Sequence, residues 1–387
     1  METKYLIVGS GIAALSAAKQ MRKLDREGDI LLVSKEKMAP YYRVRLTEAI
    51  ASDADVNSLL VEKPDFYERE HIRLMLNSAV TSIDYDRNAA ALEDGTTIRY
   101  EKLLLAVGAT PFIPSYEGAR QVNVFSVRTV EDLAALRRAL PELRSALVVG
   151  GGLLGLEAAY SLLKKGLEVH VCEFAEHLLT RQLDAETAIR LEEDLAKEGL
   201  HIHVGASLRR INGFNRVESV VLTDGTEFSC DSVVFSVGIR PSAELAKDVL
   251  PTNRGILVDE HLQTERANVW AAGDCAEIQG TCMGLWSASN EMGKIVGENM
   301  AGGEAVYDRP RLFTNLRIGN VKVFSAGSHE GDDMWSAEND GAVEKLFFRD
   351  GRVIGGILYA DTKKMGLVNK LIDREAKKEE AISEMQR

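Results

Sequence analysis

Three small residues near the start of the chain, Gly9, Gly11 and Ala14, are spaced as G-x-G-x-x-A. The segment 4–8 before them, apolar from residue 5 onward, predicts a short buried strand, and the periodicity after them predicts a helix. Gly9 permits a tight turn, Gly11 lets a pyrophosphate approach the backbone, and Ala14 lets the helix lie close to the strand. Glu36, 27 residues after Gly9, follows a second predicted strand, where a carboxylate accepts hydrogen bonds from ribose hydroxyls. The segment therefore predicts a dinucleotide site at a helix N-terminus.

The pattern recurs in full at Gly150, Gly152 and Gly155, between another predicted strand and helix. Glu173 stands 23 residues after Gly150, at the end of the next predicted strand. Two such loops predict two bound dinucleotides, an arrangement typical of enzymes that exchange a hydride between a flavin and a nicotinamide. A carboxylate at Glu173 repels a 2′-phosphate, and the next two residues are uncharged. NADH is therefore expected in preference to NADPH.

The composition indicates a globular chain whose 387 residues make two or three domains, at roughly 150 residues per domain. Apolar residues account for 45% and charged residues for 27%, which argues against extended disorder. A net charge of −12 disfavours broad binding to nucleic acid or to acidic membranes, because both need a positive surface. No apolar run reaches the ~20 residues that a membrane span needs.

The cysteines and histidines show no ligand spacing in the sequence. The four cysteines include no C-x-x-C pair, which is typical of a reduced, cytoplasmic protein, and Cys275 and Cys282 are expected to be inert thiols. The seven histidines, including His201 and His203 of a predicted strand, are expected to form no cluster. The sequence therefore assigns no metal.

Further segments follow the two loops in a set order and carry a family resemblance. They are the turn at Val107-Gly108, the segment ending at Gly238, the pair Gly273-Asp274, and Trp286 with the helix 287–302. In this order they resemble the two-dinucleotide flavoproteins of the pyridine nucleotide-disulfide oxidoreductase superfamily. The resemblance extends to about residue 305. The resemblance implies that FAD binds at the first loop and NADH at the second. It also implies that Val107, Gly108, Gly273, Asp274 and Trp286 contact FAD, whereas Gly238 is expected to contact NAD.

Within the superfamily, segment 40–46 resembles NADH:rubredoxin reductases and the flavin module of nitrite reductases, with support from 178–184 and Trp286. The disulfide-reducing members carry one or two cysteines on the helix after the second FAD strand. Residues 34–60 contain no cysteine. Electrons are therefore expected to leave the flavin directly, to a one-electron acceptor or to oxygen.

Charged residues near the expected flavin are the remaining candidates. Arg43 lies beside two tyrosines and is expected to contact the cofactor. Ferredoxin reductases of this superfamily carry lysine where Glu48 stands, paired with the glutamate that matches Glu157. Glu157 and Glu48 are therefore the candidate catalytic residues. Two facing carboxylates would raise the pKa of one of them, unless Arg43 or Arg45 lies between them.

The resemblance implies an α/β fold with two Rossmann-like, glutathione-reductase-like dinucleotide-binding domains and a small α+β C-terminal domain. The expected domains are a discontinuous FAD domain, residues 1–110 and 239–308, an NAD domain, 111–238, and a C-terminal domain, 309–387.

The C-terminal domain is expected to contain three strands, with a hairpin turn at Asp350-Gly351. A helix is expected to begin near Met365, and the tail from Arg374 is expected to be a solvated helix end or frayed. Three lysines near this helix form the densest basic cluster beyond the cofactor motifs, and an acidic carrier is predicted to dock there. They are Lys363, Lys364 and Lys370.

These features predict an FAD-dependent NADH oxidoreductase that passes electrons to a small acidic iron–sulfur carrier, with rubredoxin as the first choice. The alternatives are a peroxide-forming NADH oxidase and a flavin module for nitrite reduction. A further alternative outside catalysis is an NAD-responsive redox sensor that turns over slowly. No nucleic acid or membrane partner is expected.

Overall fold

The computed structural model describes residues 1–309, 311 and 313–387. Its first sheet contains seven strands: β1 (Glu2–Val8), β2 (Ile30–Val33), β3 (Ile72–Met75), β4 (Val80–Asp84), β5 (Ala89–Leu92), β6 (Thr97–Leu105) and β18 (Val269–Ala271). The order is β3-β2-β1-β6-β5-β4, and β18 pairs with the end of β6. Strands β1, β2, β3, β6 and β18 run parallel, and β4 and β5 form an antiparallel extension. β2 is apolar and buried throughout, as parallel strands covered on both faces are.

A second sheet of five parallel strands has the order β11-β10-β9-β15-β8. Its strands are β8 (Val124–Ser126), β9 (Ser145–Val149), β10 (Glu168–Glu173), β11 (Leu200–Val204) and β15 (Val233–Phe235). A small antiparallel sheet is formed by β12 (Leu208–Asn212), β13 (Ser219–Leu222) and β14 (Glu227–Ser229). Because each glycine loop follows a strand of a parallel sheet, both loops lie at carboxyl ends of strands, where α/β folds bind ligands.

Two short strand pairs complete this part of the chain. β7 (Ala109–Pro111) pairs antiparallel with β16 (Ile239–Pro241), so the segments that enter and leave the second sheet run side by side. β17 (Ile256–Val258) pairs parallel with β19 (Ala276–Ile278).

The helices are α1 (Ile12–Leu24), α2 (Leu46–Ala49), α3 (Pro64–Arg69), α4 (Val130–Ala139), α5 (Leu153–Lys164), α6 (Ala185–Lys197), α7 (Trp286–Met300), α8 (Met365–Asp373) and α9 (Lys378–Met385). Leu191 and Leu195 of α6 are buried against the core, whereas Ile189 of the same helix is 45% exposed. None of the helices in the described part of the chain is long and apolar enough to cross a membrane.

Helices α1 and α7 pack closely because small residues face each other. A Cβ on Gly293 would lie 2.4 Å from the carbonyl oxygen of Ala13, and one on Gly297 would lie 2.5 Å from that of Ala17. These distances are below any real Cβ contact, so only glycine permits this approach. The packing places the first turn of α1 beside the middle of α7, at Gly293.

The C-terminal region is a five-stranded antiparallel sheet, ordered β20-β21-β24-β23-β22, with two helices. Its strands are β20 (Phe313–Ile318), β21 (Val321–Gly327), β22 (Asp333–Asn339), β23 (Ala342–Arg349) and β24 (Arg352–Tyr359). The predicted hairpin is confirmed, since Asp350 and Gly351 join β23 to β24 with φ of 51° and 68°. Pro310, beside the predicted boundary at residue 309, lies outside the described residues.

One prediction for the C-terminal region is wrong. The tail after Arg374 is not frayed: it forms α9, and its Ala381 and Met385 are fully buried because they close the apolar core beneath the sheet. The helix expected near Met365 is confirmed, since α8 begins at that residue, and Lys363 precedes it.

A buried lysine joins the C-terminal sheet to α6. Lys345 of β23 is only 1% exposed, and its Nζ donates to Asp184 Oδ2 and Glu186 Oε2, each at 2.6 Å. These two carboxylates satisfy a charge that would otherwise be costly to bury.

The expectation that the histidines form no cluster is also wrong. β10 and β11 are parallel with His170 opposite His201, and His203 Nε2 lies 3.0 Å from His170 Nδ1. Glu168 is on the same face of β10, two residues before His170. Burial and the neighbouring histidines lower the pKa of His170 to about 4. The cluster joins two strands that are about 30 residues apart in the chain, so single-strand spacing did not reveal it.

Candidate active site

The first glycine loop connects β1 to α1 at the edge of a cavity. Gly9 has a φ of 119°, and a Cβ there would lie 2.1 Å from the carbonyl oxygen of Ala106, so the position requires glycine. Its N–H donates to the carbonyl oxygen of Val33, which ties the loop to β2. Gly11 is the N-cap of α1 and carries no side chain, so the first N–H groups of the helix remain open. The loop can bind phosphate oxygens.

The cavity next to this loop has a volume of about 560 Å³. That is within the range of small-molecule sites, which hold cofactors of this kind. Nearly all residues predicted to contact FAD line it, as does one predicted on the NAD side. They are Gly9, Gly11, Glu36, Arg43, Val107, Gly108, Gly273, Asp274 and Trp286, together with Gly238. Ala14 does not line the cavity; it is fully buried between α1 and the sheet.

The end of α7 supplies the other wall of the cavity. Trp286 is the first residue of α7, and its indole stacks on Tyr42 with the ring centroids 5.8 Å apart. Its buried Nε1 has no hydrogen-bond partner among the described residues, so a donor at the cavity wall is free for a ligand. Gly273, with a φ of 80°, brings Asp274 beside Ser289, whose hydroxyl donates to Asp274 Oδ1.

A network of four charged side chains crosses the cavity. Arg43 donates to Glu36 Oε1 at 2.6 Å and to the carbonyl oxygen of Arg128, and Tyr41 donates to Glu36 Oε2 at 2.6 Å. Arg128 forms an ion pair with Asp274. Glu36 and Arg43 therefore lie together at the cavity, and their contact with FAD stays a prediction.

Arg128 was missed by the sequence reasoning. Its one local signal is the capping box that follows it, in which Thr129 accepts from the backbone N–H of Asp132 and the Asp132 carboxylate accepts from that of Thr129. The capping box predicts where α4 begins, but it does not predict which way the Arg128 side chain points. Only the fold brings Arg128, before α4, to Asp274, which follows β18.

Glu157 and Glu48 do not form a facing pair. Glu157 of α5 is partly buried and accepts a hydrogen bond from Thr47 Oγ1 at 2.7 Å, and Thr47 lines the cavity. Burial raises the pKa of Glu157, and the charge of Glu48 adds to the rise. The Glu48 side chain is 73% exposed, pairs with Arg45, and lines a separate cavity of about 80 Å³. Their catalytic roles stay a prediction.

The second glycine loop repeats the geometry of the first between β9 and α5. Gly150 has a φ of 111°, and a Cβ there would lie 2.3 Å from the carbonyl oxygen of Ser236. A Cβ on Gly155 would lie 2.0 Å from the carbonyl oxygen of Gly150. Gly152 is the N-cap of α5, with free N–H groups ahead of it. Steric clashes therefore explain the glycines at Gly150 and Gly155, and the N-cap position explains the glycine at Gly152.

Glu173 is held at the mouth of the second loop by backbone donors. Its Oε2 accepts from the N–H of Gly151 at 2.7 Å, and its Oε1 accepts from that of Ala175 at 2.9 Å. The carboxylate therefore stands at the end of β10 beside the second glycine loop, and its contact with a ribose stays a prediction. The adjacent Phe174 is 82% exposed.

The two loops meet the cavity differently. Gly9 and Gly11 line it, whereas from the second region Leu154 and Ala158 of α5 and parts of the segment 234–238 reach it. Gly150, Gly152 and Glu173 lie outside that lining. The two sites are thus adjacent, with the start of α5 between them.

The four cysteines are all free, and none lines the cavity. Cys275 is fully buried and donates to the carbonyl oxygen of Leu105, and burial raises its pKa to about 12. Cys282 is half-buried, and burial raises its pKa as well. Thiols in this state are protonated and unreactive at neutral pH.

Comparison with known proteins identifies the family. Residues 3–293 match the model of the pyridine nucleotide-disulphide oxidoreductases. The chain belongs to this family. Residues 313–376 match the model of the rubredoxin NAD+ reductase C-terminal domain, so the small C-terminal region carries a family signature of its own.

Named relatives of the family align along most of the chain. The nitrite reductase [NAD(P)H] of Bacillus subtilis is 34% identical over 382 residues, which are 96% of this chain and 47% of that protein. The chain thus spans about half the length of this relative. The rubredoxin-NAD(+) reductase of Pseudomonas putida is 33% identical over 360 residues, 90% of this chain and 94% of that protein.

A solved structure agrees with the fold over 98% of the chain. The ferredoxin reductase for the CYP199A2 system from Rhodopseudomonas palustris is 29% identical, with a TM-score of 0.90 over 98% of this chain and 97% of that one. The predicted fold class is confirmed, with two dinucleotide-binding domains and a C-terminal domain. The family uses FAD and NADH, so these are the cofactors expected of the chain's two glycine loops.

Proposed function

We propose that this flavoprotein passes electrons from NADH through FAD to a small acidic iron–sulfur carrier, with rubredoxin as the first candidate. One observation carries the proposal: among the described residues, no cysteine lines the cavity, so no thiol can relay electrons from it. The match of residues 313–376 to a rubredoxin NAD+ reductase C-terminal domain supports the choice of carrier.

The cavity residues fit FAD. The open N–H groups behind Gly11 suit its pyrophosphate, Glu36 suits a ribose, and the free Nε1 of Trp286 offers a donor to the ring system. Gly9 leaves the space that a Cβ would fill. When bound, FAD accepts the hydride of NADH and releases electrons one at a time.

The second loop is proposed to hold NADH in the same manner, with Gly238 between the two sites. The residues that would bind this nucleotide are Gly150, Gly152, Gly155 and Glu173. The steric demands on the glycines and the backbone bonds that hold the Glu173 carboxylate support this assignment.

The protein's own contribution is to position and shield the two cofactors. Arg43 pairs with Glu36, and Arg128 pairs with Asp274. Both carboxylates at the cavity wall therefore have a cation as partner. Thr47 links the cavity wall to Glu157, and we propose Glu157 as a positioning residue that acts through Thr47.

The domain partition is also proposed. Residues 1–110 and 239–308 would bind FAD, 111–238 would bind NADH, and 309–387 would face the carrier. Sheet membership supports this division, because β18 returns to the sheet of β1–β6 and β7 pairs with β16 at the crossover.

Carrier docking at the three C-terminal lysines receives limited support. Lys363 pairs with Asp361, and Lys364 pairs with Glu344, so their charges are balanced locally. Lys370 is exposed and, within the described residues, has no ion pair. Any steering of an acidic carrier there would depend mainly on Lys370.

Anaerobic kinetics test the proposal. The NADH-reduced enzyme would be mixed with oxidised rubredoxin, ferredoxin, nitrite or oxygen, and flavin reoxidation followed. We expect rubredoxin to react fastest. A rate with oxygen that equals the rate with every carrier would replace the proposal with an NADH oxidase.

The relative named nitrite reductase favours a second candidate, a flavin module that serves nitrite reduction. The chain matches less than half of that protein. On this reading the isolated chain would reduce neither nitrite nor rubredoxin at a useful rate, and would reduce artificial dyes. The same assay separates the two functions.

A further inference from the structure

Strands β10 and β11 bring four polar side chains together on one face of the second sheet. Glu168 and His170 are two residues apart on β10, and His201 and His203 are two residues apart on β11. Residues two apart in a strand point to the same face, and the register sets His170 directly opposite His201. β11 is the edge strand of this sheet, so the group lies at the sheet margin.

We propose that Glu168, His170 and His201 bind a divalent transition-metal ion, with His203 orienting the imidazole of His170. Neither the cofactors nor the electron transfer of the family explains this group. None of its residues lines the cofactor cavity.

The distances between the donor atoms match a metal site. Glu168 Oε1 lies 3.5 Å from His170 Nε2 and 3.7 Å from His201 Nε2, and all three donor atoms lie within 4.8 Å of one another. Ligands about 2.0–2.1 Å from a tetrahedral zinc ion are separated by roughly 3.3 Å. The imidazoles of His170 and His201 are stacked with their ring centroids 4.5 Å apart, so both rings must tilt before their Nε2 lone pairs point at one ion.

His203 prepares His170 for this role. His170 Nδ1 and His203 Nε2 are 3.0 Å apart, so a proton on His170 Nδ1 donated to His203 leaves the lone pair of His170 Nε2 free toward Glu168. Metal-bound histidines usually donate their other ring nitrogen to such a partner. The ring of Phe228 stacks on His170 with centroids 3.9 Å apart, which restrains the imidazole further.

Exposure and donor type identify the class of ion. Glu168 and His201 are exposed, with side-chain exposures of 63% and 54%, so an ion can enter from solvent and keep water in its remaining positions. Two imidazoles with one carboxylate favour zinc and its first-row neighbours over magnesium or calcium, which prefer oxygen ligands. A bound ion would join the edge strand β11 to β10 and stabilise the native chain by mass action.

The test measures zinc binding to the untagged, FAD-loaded chain. Isothermal titration with Zn²⁺ is expected to show one site per chain, and Mg²⁺ is expected to show no binding at the same concentrations. Glu168→Gln and His201→Asn, both exposed positions, should each weaken Zn²⁺ binding by more than about tenfold, and His203→Leu by about 10–100-fold. His71→Asn is the matched control, because His71 is also exposed and its φ of 50° suits asparagine.

Thermal unfolding provides the second measurement. Zn²⁺ should raise the melting temperature of the wild type and of His71→Asn, and should not raise that of His201→Asn or Glu168→Gln. Retained FAD absorbance shows that each variant is folded. The proposal is overturned if wild-type chain binds no Zn²⁺, or if His71→Asn and His201→Asn bind it equally.

Discussion

The two glycine loops share a backbone plan and differ in their third small residue. In each, the first glycine has a φ above 110° and approaches a carbonyl oxygen of a neighbouring strand end, Ala106 for Gly9 and Ser236 for Gly150. The first loop then has Ala14, whose Cβ is accommodated. The second has Gly155, where a Cβ would meet the carbonyl oxygen of Gly150 at 2.0 Å. The helix of the second loop therefore lies closer to its own turn.

The acids that follow the two loops are held in different ways. Glu36 is bound by the side chains of Arg43 and Tyr41, inside a network that continues to Asp274. Glu173 is bound by two backbone N–H groups and stands outside the cavity. The Glu36 carboxylate is therefore held by an arginine and a tyrosine side chain at the cavity, whereas the Glu173 carboxylate at the end of β10 is held by backbone N–H groups alone.

The largest expected effect on binding and stability comes from substituting the third small residue of each glycine loop, Ala14 in the first and Gly155 in the second. Gly155→Ala should weaken NADH binding by at least about tenfold and cost roughly 1–3 kcal/mol of stability, because the new Cβ meets backbone. Ala14→Gly should cost about 1 kcal/mol and leave NADH binding unchanged. Stopped-flow flavin reduction and urea unfolding measure both. If both variants lose NADH binding and stability equally, the contact between residue 155 and the carbonyl oxygen of Gly150 does not distinguish the two loops.

Arg128→Leu should weaken FAD retention. Loss of its ion pair leaves Asp274 at the cavity without its cation, at a cost of about 1.5–3 kcal/mol, or roughly tenfold or more in the dissociation constant of FAD. Arg45→Leu is the control, because the Arg45 side chain is 51% exposed and pairs with an exposed acid. Fluorescence of released FAD measures both. The network has no part in cofactor binding if the two variants release FAD equally.

Glu173→Arg should change nucleotide preference without changing FAD content. An arginine there attracts the 2′-phosphate that Glu173 repels, so the ratio of kcat/KM for NADPH to that for NADH should rise about tenfold, or about 1.4 kcal/mol. Glu173→Gln should give a smaller rise. An unchanged ratio in both variants would remove Glu173 from the adenosine ribose.

The smallest expected effect is the pH dependence of stability at Glu157. Burial raises the pKa of its carboxyl in the native state, so the native state favours the protonated form. The stability it contributes is present below the unfolded-state pKa and is lost as the pH rises through the native value. Glu157→Gln should therefore stabilise the chain relative to wild type at about pH 8 and much less at about pH 4. Urea unfolding at the two pH values measures the difference, and a constant difference would contradict the assignment.

Local patterns in the sequence determined a large part of this protein. Strand, glycine loop, helix, strand and acid follow one another within about 30 residues, so both dinucleotide loops and their acids could be predicted from spacing alone. The hairpin at Asp350-Gly351 was predictable for the same reason, because its positive φ values are a local property. The lack of cysteine in residues 34–60 by itself excluded a thiol relay from that segment.

Contacts between distant segments were decided only by the tertiary structure. The pair Arg128–Asp274 joins residues 146 positions apart, and the separation of Glu157 from Glu48 depends on how α5 meets α2. The histidine cluster depends on the register of β10 against β11, and the burial of α9 depends on the sheet beneath it. None of these has a local signature, because the free energy that sets them comes from packing between elements and not from the residues next to them in the chain.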